Sequence, residues 1–168
     1  MYRKIKLAIV DDNDIFRQVV TKQLNKCKDI EIISNCKNGK EFIDTLPKQK
    51  PDIALVDLEM PVMDGRETTE YISQHYPEIK ILILTIHRDI NLSYELIKKG
   101  ANGFLLKDNG IEQVLDAIYT ITQHQYYFAG WDLKKIITAK SKPANNAKLD
   151  IAYKAEILLS EQEKTILQ

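Results

Sequence analysis

Apolar residues in the first 124 positions follow two patterns that alternate along the chain. Short apolar runs without helical spacing are typical of strands that a sheet buries on both faces. The stretches between these runs carry apolar residues three or four positions apart, which predicts amphipathic helices. Strands are predicted at 5–10, 30–34, 53–56, 79–84 and 103–106, and each is followed by a helix.

Capping residues, prolines and glycines predict where these helices begin and end. The first helix can be capped by Asp12 or Asn13, and the last by Asp108 or Asn109. The second spans 41–46, the third 65–75 and the fourth about 89–99, ending before a glycine stop. The apolar positions of the first helix are Ile15, Phe16, Val19, Val20 and Leu24.

Five strands that alternate with five helices predict an α/β fold with a parallel sheet covered on both faces. We expect a doubly wound, five-stranded sheet with the common strand order 2-1-3-4-5 and a helical carboxyl-terminal extension. Residues 1–124 would form this domain.

The remaining residues change in character. We expect a linker over 125–150 with a short helix at 131–139, because 140–148 is polar and contains a proline and two asparagines. A capping box at 160–163 predicts a new helix that two turns alone cannot stabilise. We therefore interpret 151–168 as the beginning of a truncated second domain.

The amino-acid composition is that of a folded protein with a hydrophobic core, and it excludes few functions. Hydrophobic residues make up 44% of the chain, which suffices for a core, and the net charge of zero predicts neither nucleic-acid nor membrane binding. No signal-peptide pattern or long apolar span is present in the sequence. Two cysteines without metal-ligand spacing predict reduced thiols in a cytoplasmic protein.

Polar residues stand at the carboxyl ends of four predicted strands. They are Asp11 and Asp12, Asp57, Thr85 and Lys107. Because parallel strands share one carboxyl edge, we expect all five in one crevice. Clustered carboxylates repel one another, so a hard divalent cation, Mg²⁺ or Mn²⁺, is the expected cofactor.

The expected ligands are Asp57 and one of the Asp11–Asp12 pair directly, the other through water, and the backbone carbonyl of Glu59. Asp57 is then a candidate nucleophile toward a phosphoryl group, forming an acyl phosphate. The cation and the Lys107 ammonium would neutralise the phosphoryl charge. The Thr85 hydroxyl could donate to a phosphoryl oxygen and move toward it.

These residues, in this order, resemble the receiver domain of two-component response regulators. MPVMDG at 60–65 is similar to the loop after the receiver's phosphoacceptor, and the resemblance covers about 4–124. GANGFLLKD at 100–108 resembles the NarL/LuxR-type subgroup. LSEQEKTIL at 159–167 is similar to the opening helix of that subgroup's helix-turn-helix domain.

The resemblance implies a function. A sensor histidine kinase would donate the phosphoryl group to Asp57, and the domain would catalyse only this transfer and its own slow dephosphorylation, so it is not an enzyme in the ordinary sense. Phe104 would be a switch residue that responds to Thr85. Promoter DNA would be bound through the missing carboxyl-terminal domain, transcription would be controlled, and a phosphorylation-dependent homodimer is possible; a membrane partner is not expected.

The chain departs from the receiver pattern at several positions. The switch residue Phe104 has no hydroxyl, and Asp108 replaces the proline that follows the lysine, which leaves the Lys107–Asp108 peptide open as cis or trans. Ile86 is bulky and could narrow access to Asp57. Glu59 and His87 flank the site, and we expect them to set the phosphoryl lifetime.

Three other functions compete with this interpretation. A stand-alone receiver that only docks to partner proteins fits the same residues. An aspartate-nucleophile phosphatase would use Asp57 with Glu59 as acid/base, but the order of its acidic residues is wrong. A flavodoxin-like FMN binder needs a phosphate cradle after the first strand, where Asp11 and Asp12 would repel a phosphate.

Overall fold

Five strands and five helices alternate along residues 3–128, the part of the chain that this computed structural model describes. The strands are β1 Ile5–Val10, β2 Ile30–Cys36, β3 Ile53–Asp57, β4 Lys80–Thr85 and β5 Gly103–Leu106. The helices are α1 Asp14–Leu24, α2 Gly39–Thr45, α3 Gly65–His75, α4 Ile90–Lys99 and α5 Ile111–Gln123. The predictions for 131–139, 140–148 and 160–163 lie outside the described residues.

The strands form one parallel sheet in the order β2-β1-β3-β4-β5, which confirms the predicted fold and strand order. Val10 pairs with Val56, Asp57 with Leu84, and Thr85 with Leu106. This register brings the carboxyl ends of β1, β3, β4 and β5 to one edge of the sheet.

Two apolar layers hold the sheet between its helices. Alternate residues of β3 point to opposite layers, Ala54 and Val56 toward α2, α3 and α4, and Ile53 and Leu55 toward α1 and α5. All of β3 is therefore buried, as its apolar run predicted. Within residues 3–128, no helix has the length and apolar character needed to span a bilayer.

Helix α1 buries only part of its apolar surface. Val20 and Leu24 are buried and Phe16 is half-buried, but Ile15 is 74% exposed and Val19 54% exposed. Residues four apart form rows along a helix, and only the row 16–20–24 faces the sheet. Helical spacing alone does not distinguish this row from the neighbouring row 15–19.

Two helix starts differ from prediction. The prediction that Asp108 or Asn109 caps α5 is wrong, because Gly110 is the N-cap and makes no side-chain cap bond. The Asn109 N–H instead donates to the Leu106 carbonyl at 3.1 Å, within the turn that leaves β5. Helix α2 begins earlier than expected because Asn38 caps it by accepting a bond from the Glu41 N–H.

The end of α4 agrees with its glycine signal, and Gly100 has the left-handed φ of 109° that favours this residue. The open question about Lys107–Asp108 is also answered, because the described peptide bonds, this one included, are all trans.

The chain continues past α5 as a short segment beside β5, which we call the exit segment, 125–128. Tyr127 forms a parallel bridge with Gly103, and its N–H donates to the Asn102 carbonyl at 2.9 Å. A Cβ on Gly103 would lie 2.3 Å from the Tyr127 carbonyl oxygen, so a glycine is needed for this approach. Tyr127 and Phe128 are buried on opposite faces of the sheet.

Candidate functional site

Three carboxylates meet at the carboxyl edge of the sheet. Asp11 follows β1, Asp12 comes next, and Asp57 ends β3; each offers an oxygen within 4.8 Å of the others. Asp11 is fully buried and Asp57 is 5% exposed, whereas Asp12 faces solvent. The structure thus brings together the acidic residues that the sequence placed at neighbouring strand ends.

Lys107 supplies the opposing charge from the end of β5. Its Nζ lies 2.8 Å from Asp11 Oδ2 and 3.0 Å from Asp57 Oδ2. The same ammonium lies 5.1 Å from the centre of the Phe16 ring, a cation–π contact that no local sequence pattern indicates. Lys107 therefore sits between two buried carboxylates and an aromatic face.

The local backbone places both buried aspartates. The Asp11 N–H donates to the Cys36 carbonyl at 3.0 Å, and the Asn13 N–H donates to Asp11 Oδ1 at 2.9 Å. Near Asp57, a Cβ on Gly65 would lie 2.4 Å from the Asp57 carbonyl oxygen. The glycine at the start of α3 therefore permits the close approach of α3 to the end of β3.

One oxygen of the cluster lacks a directional bond. Asp11 Oδ2 is buried, and although Lys107 Nζ is near it, no donor among the described residues makes a hydrogen bond to it. A buried carboxylate oxygen needs a positive partner, which is the Lys107 ammonium here and could also be a bound cation. With Asp57 and Asp12 beside it, this all-oxygen donor set fits a hard divalent cation.

Burial and mutual contact shift the pKa values of Asp57 and Lys107. Burial raises the pKa of Asp57 to about 6, opposed by the bond from Lys107 and assisted by the charge of Asp11. Burial alone would lower the pKa of Lys107, but its bonds to Asp11 and Asp57 outweigh burial and raise it. Lys107 is therefore charged at neutral pH.

The raised pKa of Asp57 predicts a pH-dependent stability of the metal-free protein. The Asp57 carboxyl has a pKa of about 6 in the folded protein and an ordinary value of 3.8, so the folded state binds its proton more tightly than the unfolded chain does. This contribution to stability is fully present below pH 3.8 and is lost as the pH rises through 6. In urea unfolding with EDTA present, the free energy of unfolding of the wild type should fall by up to about 3 kcal/mol relative to that of Asp57→Asn between acidic and neutral pH. A difference that stays constant over this range would contradict the assigned environment of Asp57.

A cleft at the carboxyl edge of the sheet is lined by Asp12, Asp57, Lys107 and residues that follow β3 and β4. Thr85 and His87 form its β4 side. Thr85 is buried, and its Oγ1 accepts a bond from the His87 N–H at 3.0 Å. The His87 Nε2 lies 3.6 Å from Glu59 Oε1, and both side chains are more than half exposed. A pair of solvent-exposed side chains thus spans the rim, and the exposed Ile86 lines the same cleft as Asp57.

Phe104 lies away from this cleft. It is buried on the α4 face of β5, with its ring centre 5.8 Å from that of Phe128 in the exit segment. The sequence predicts Phe104 within β5, but no local pattern indicates its contact with Phe128, which is 24 residues further along the chain.

Comparison with known proteins supplies the family context. The sequence profile of the response regulator receiver domain matches residues 7–119. The transcriptional regulatory protein LnrK of Bacillus subtilis is 36% identical over 117 residues, which cover 70% of this chain and 53% of LnrK. The oxygen regulatory protein NreC of Staphylococcus aureus is 32% identical over 166 residues, 97% of this chain and 75% of NreC.

A solved structure agrees with the fold. The signal receiver domain of NarL from Mycobacterium tuberculosis superposes with a TM-score of 0.64 at 26% identity, covering 70% of this chain and 98% of that domain. The chain spans about half the length of LnrK, so the comparison with that protein concerns its receiver portion.

Proposed function

The chain belongs to the response regulator receiver domain family, and we propose that it accepts a phosphoryl group on Asp57 and thereby regulates transcription. One observation carries the proposal: Asp57 is buried with Lys107 Nζ 3.0 Å from one of its oxygens and two further carboxylates beside it. Such a carboxylate has a neutralising ammonium beside it, and the neighbouring carboxylates could hold a metal next to its nucleophilic oxygens.

In the proposed transfer, an Asp57 oxygen attacks the phosphorus of a phosphohistidine on a sensor histidine kinase. An O–P bond forms as the N–P bond breaks, and the imidazole leaves with the bonding pair. The Lys107 ammonium stabilises the negative charge on the phosphoryl oxygens. Beyond this transfer and slow dephosphorylation we propose no enzymatic turnover; membership of this family favours a regulator over the phosphatase alternative.

The proposed cation is Mg²⁺, or Mn²⁺ in its place. Asp57 and one of the Asp11–Asp12 pair would bind it directly and the other through water, with the main-chain carbonyl of Glu59 as a further ligand. When bound, the cation supplies positive charge against the incoming phosphoryl group.

Intact-mass measurement tests the transfer directly. The full chain, incubated with acetyl phosphate and Mg²⁺, is expected to gain the mass of one phosphoryl group, and hydroxylamine should remove it because acyl phosphates react with nucleophiles. The same incubation in EDTA should give no gain. Equal gain with and without Mg²⁺, or a modification resistant to hydroxylamine, would overturn the proposal.

Glu59 and His87 are proposed to set the lifetime of the phosphoryl group, since their side chains pair at 3.6 Å across the rim of the cleft. Each of Glu59→Ala and His87→Ala is expected to change the dephosphorylation rate by about threefold or more, through altered access or orientation of water. Loss of intact phosphorylated mass over time measures this rate. Unchanged rates in both variants, judged against Glu31→Ala at an exposed position of β2, would disprove the role.

Signal output is proposed to begin at Thr85. If the hydroxyl turns to the phosphoryl group, it must give up its bond from the His87 N–H, which frees the loop between β4 and α4. Phe104, the proposed switch residue, contacts Phe128, so a change at β5 can reach the exit segment and the residues after it. The similarity to NreC extends over 166 residues, past the receiver match at 7–119, which supports a further part of the protein rather than a stand-alone receiver. We propose that this further part binds DNA.

The single tryptophan of the chain, Trp131, offers a probe of this coupling. Beryllofluoride with Mg²⁺ is expected to change Trp131 fluorescence in the wild type, and the change should be much smaller in Phe128→Leu while phosphoryl uptake is retained. Phe42→Leu, at another buried phenylalanine of the same apolar layer, is the control. A full spectral change in Phe128→Leu would contradict the proposed route.

The domain organisation stays a proposal: a receiver over 1–124, a linker over 125–150 and the beginning of a helix-turn-helix domain over 151–168. The cytoplasmic location and the phosphorylation-dependent homodimer also stay predictions. Light scattering with and without beryllofluoride measures the homodimer.

A further inference from the structure

Arg17 on α1 bonds to the main chain of the turn between β1 and α1, which carries Asp11 and Asp12. Its side chain is only 14% exposed and donates to the carbonyl of Asp11. Its Nε donates to Asn35 Oδ1 on β2 at 3.0 Å, and another nitrogen pairs with the Asp14 carboxylate. One guanidinium therefore joins the end of β1, the start of α1 and the neighbouring strand.

The carbonyl that Arg17 holds has a particular place in the cluster. It belongs to the peptide unit between Asp11 and Asp12, so its direction determines how the two carboxylates are oriented relative to each other. The Asp11 N–H is held by the Cys36 carbonyl, and Asp11 Oδ1 accepts from the Asn13 N–H. With these groups held, Asp11 Oδ2 points to the Lys107 ammonium, whose Nζ lies 2.8 Å away.

The charge of Arg17 and the geometry that it imposes are expected to affect cation binding in opposite directions. A positive side chain near a cation site weakens cation binding through repulsion, and the Asp14 carboxylate reduces that repulsion only in part. Partners that orient metal ligands strengthen binding, commonly by about ten- to a hundredfold. The sign of the change after substitution therefore separates the two effects.

We propose that Arg17 is a positioning residue for the cation site, because it holds the Asp11–Asp12 peptide in the orientation that a divalent cation requires. The inference rests on the proposed function, since it concerns how Mg²⁺ is bound. It adds a residue that lies outside the cleft and acts through the main chain.

The test compares Arg17→Lys, which keeps the charge but lacks the planar fork, with Arg17→Gln, which loses both. The dissociation constant for Mg²⁺ is obtained from the dependence of the melting temperature on Mg²⁺ concentration. Both variants are expected to bind Mg²⁺ about tenfold more weakly or worse. The phosphorylation rate from acetyl phosphate should return toward the wild-type value at saturating Mg²⁺.

Lys22→Gln, an exposed charge change on the same helix, is the matched control and should bind Mg²⁺ like the wild type. Asn35→Ala removes one acceptor that holds the Arg17 side chain and leaves the guanidinium in place, so it should also weaken Mg²⁺ binding. This variant tests the inference if the Arg17 variants do not fold. Unchanged binding in Asn35→Ala, or tighter binding in Arg17→Gln, would overturn the inference. A wild type that binds no Mg²⁺ would instead contradict the proposed function.

Discussion

In the Asp57→Asn variant, incubation with acetyl phosphate and Mg²⁺ is expected to leave the intact mass unchanged. An amide oxygen is a poor nucleophile compared with a carboxylate, so the acyl phosphate cannot form. The fold should persist because the amide occupies the same volume, and the burial of a second negative charge beside Asp11 is relieved. Mass spectrometry measures the loss, and circular dichroism verifies the fold.

Asp44→Asn provides the control, since Asp44 is an exposed residue on α2 whose partner is Lys40 at 2.8 Å. This variant should take up phosphoryl groups at the wild-type rate. If Asp57→Asn gained the same mass as the wild type, the acceptor would be a different residue, and the function proposed for this cleft would have to be abandoned.

The Lys107→Met variant is expected to be phosphorylated about a hundredfold more slowly, even at saturating Mg²⁺. Preorganised charges that stabilise a transition state typically contribute about two to three orders of magnitude in rate. Removal of this ammonium also leaves Asp11 and Asp57 without their buried partner, which costs about 3–5 kcal/mol in similar cases. Mg²⁺ should then raise the melting temperature more than it does in the wild type.

Lys40→Met removes an exposed lysine and is expected to alter neither property. Rates measured by mass spectrometry at several Mg²⁺ concentrations separate weaker metal binding from slower transfer. A Lys107→Met rate within about threefold of the wild type would show that Lys107 contributes little to the transition state, contrary to expectation.

Local patterns in the sequence were sufficient for most of the fold. The bounds predicted for β1, β5 and α3 agree with the structure, because a strand buried on both faces needs a continuous apolar run and a helix on a sheet needs helical spacing. Asp57 could be identified in the same way, as the residue at which the apolar run of β3 ends. Two capping signals were nevertheless missed, Asn38 with Glu41 and Asp64 with Glu67.

The order of strands and helices, and the residue types at the carboxyl edge, could be predicted from the amino-acid chain alone. These properties depend on neighbours within a few positions, so they leave periodic or punctuating signals. The packing of the folded chain was needed to show that Asp11 Oδ2 pairs with Lys107, that Ile15 faces solvent, and that Arg17 reaches Asn35. The same is true of the bridge between Gly103 and Tyr127. Each of these depends on how separate segments pack together, and packing between segments remote in the chain has no counterpart in local spacing.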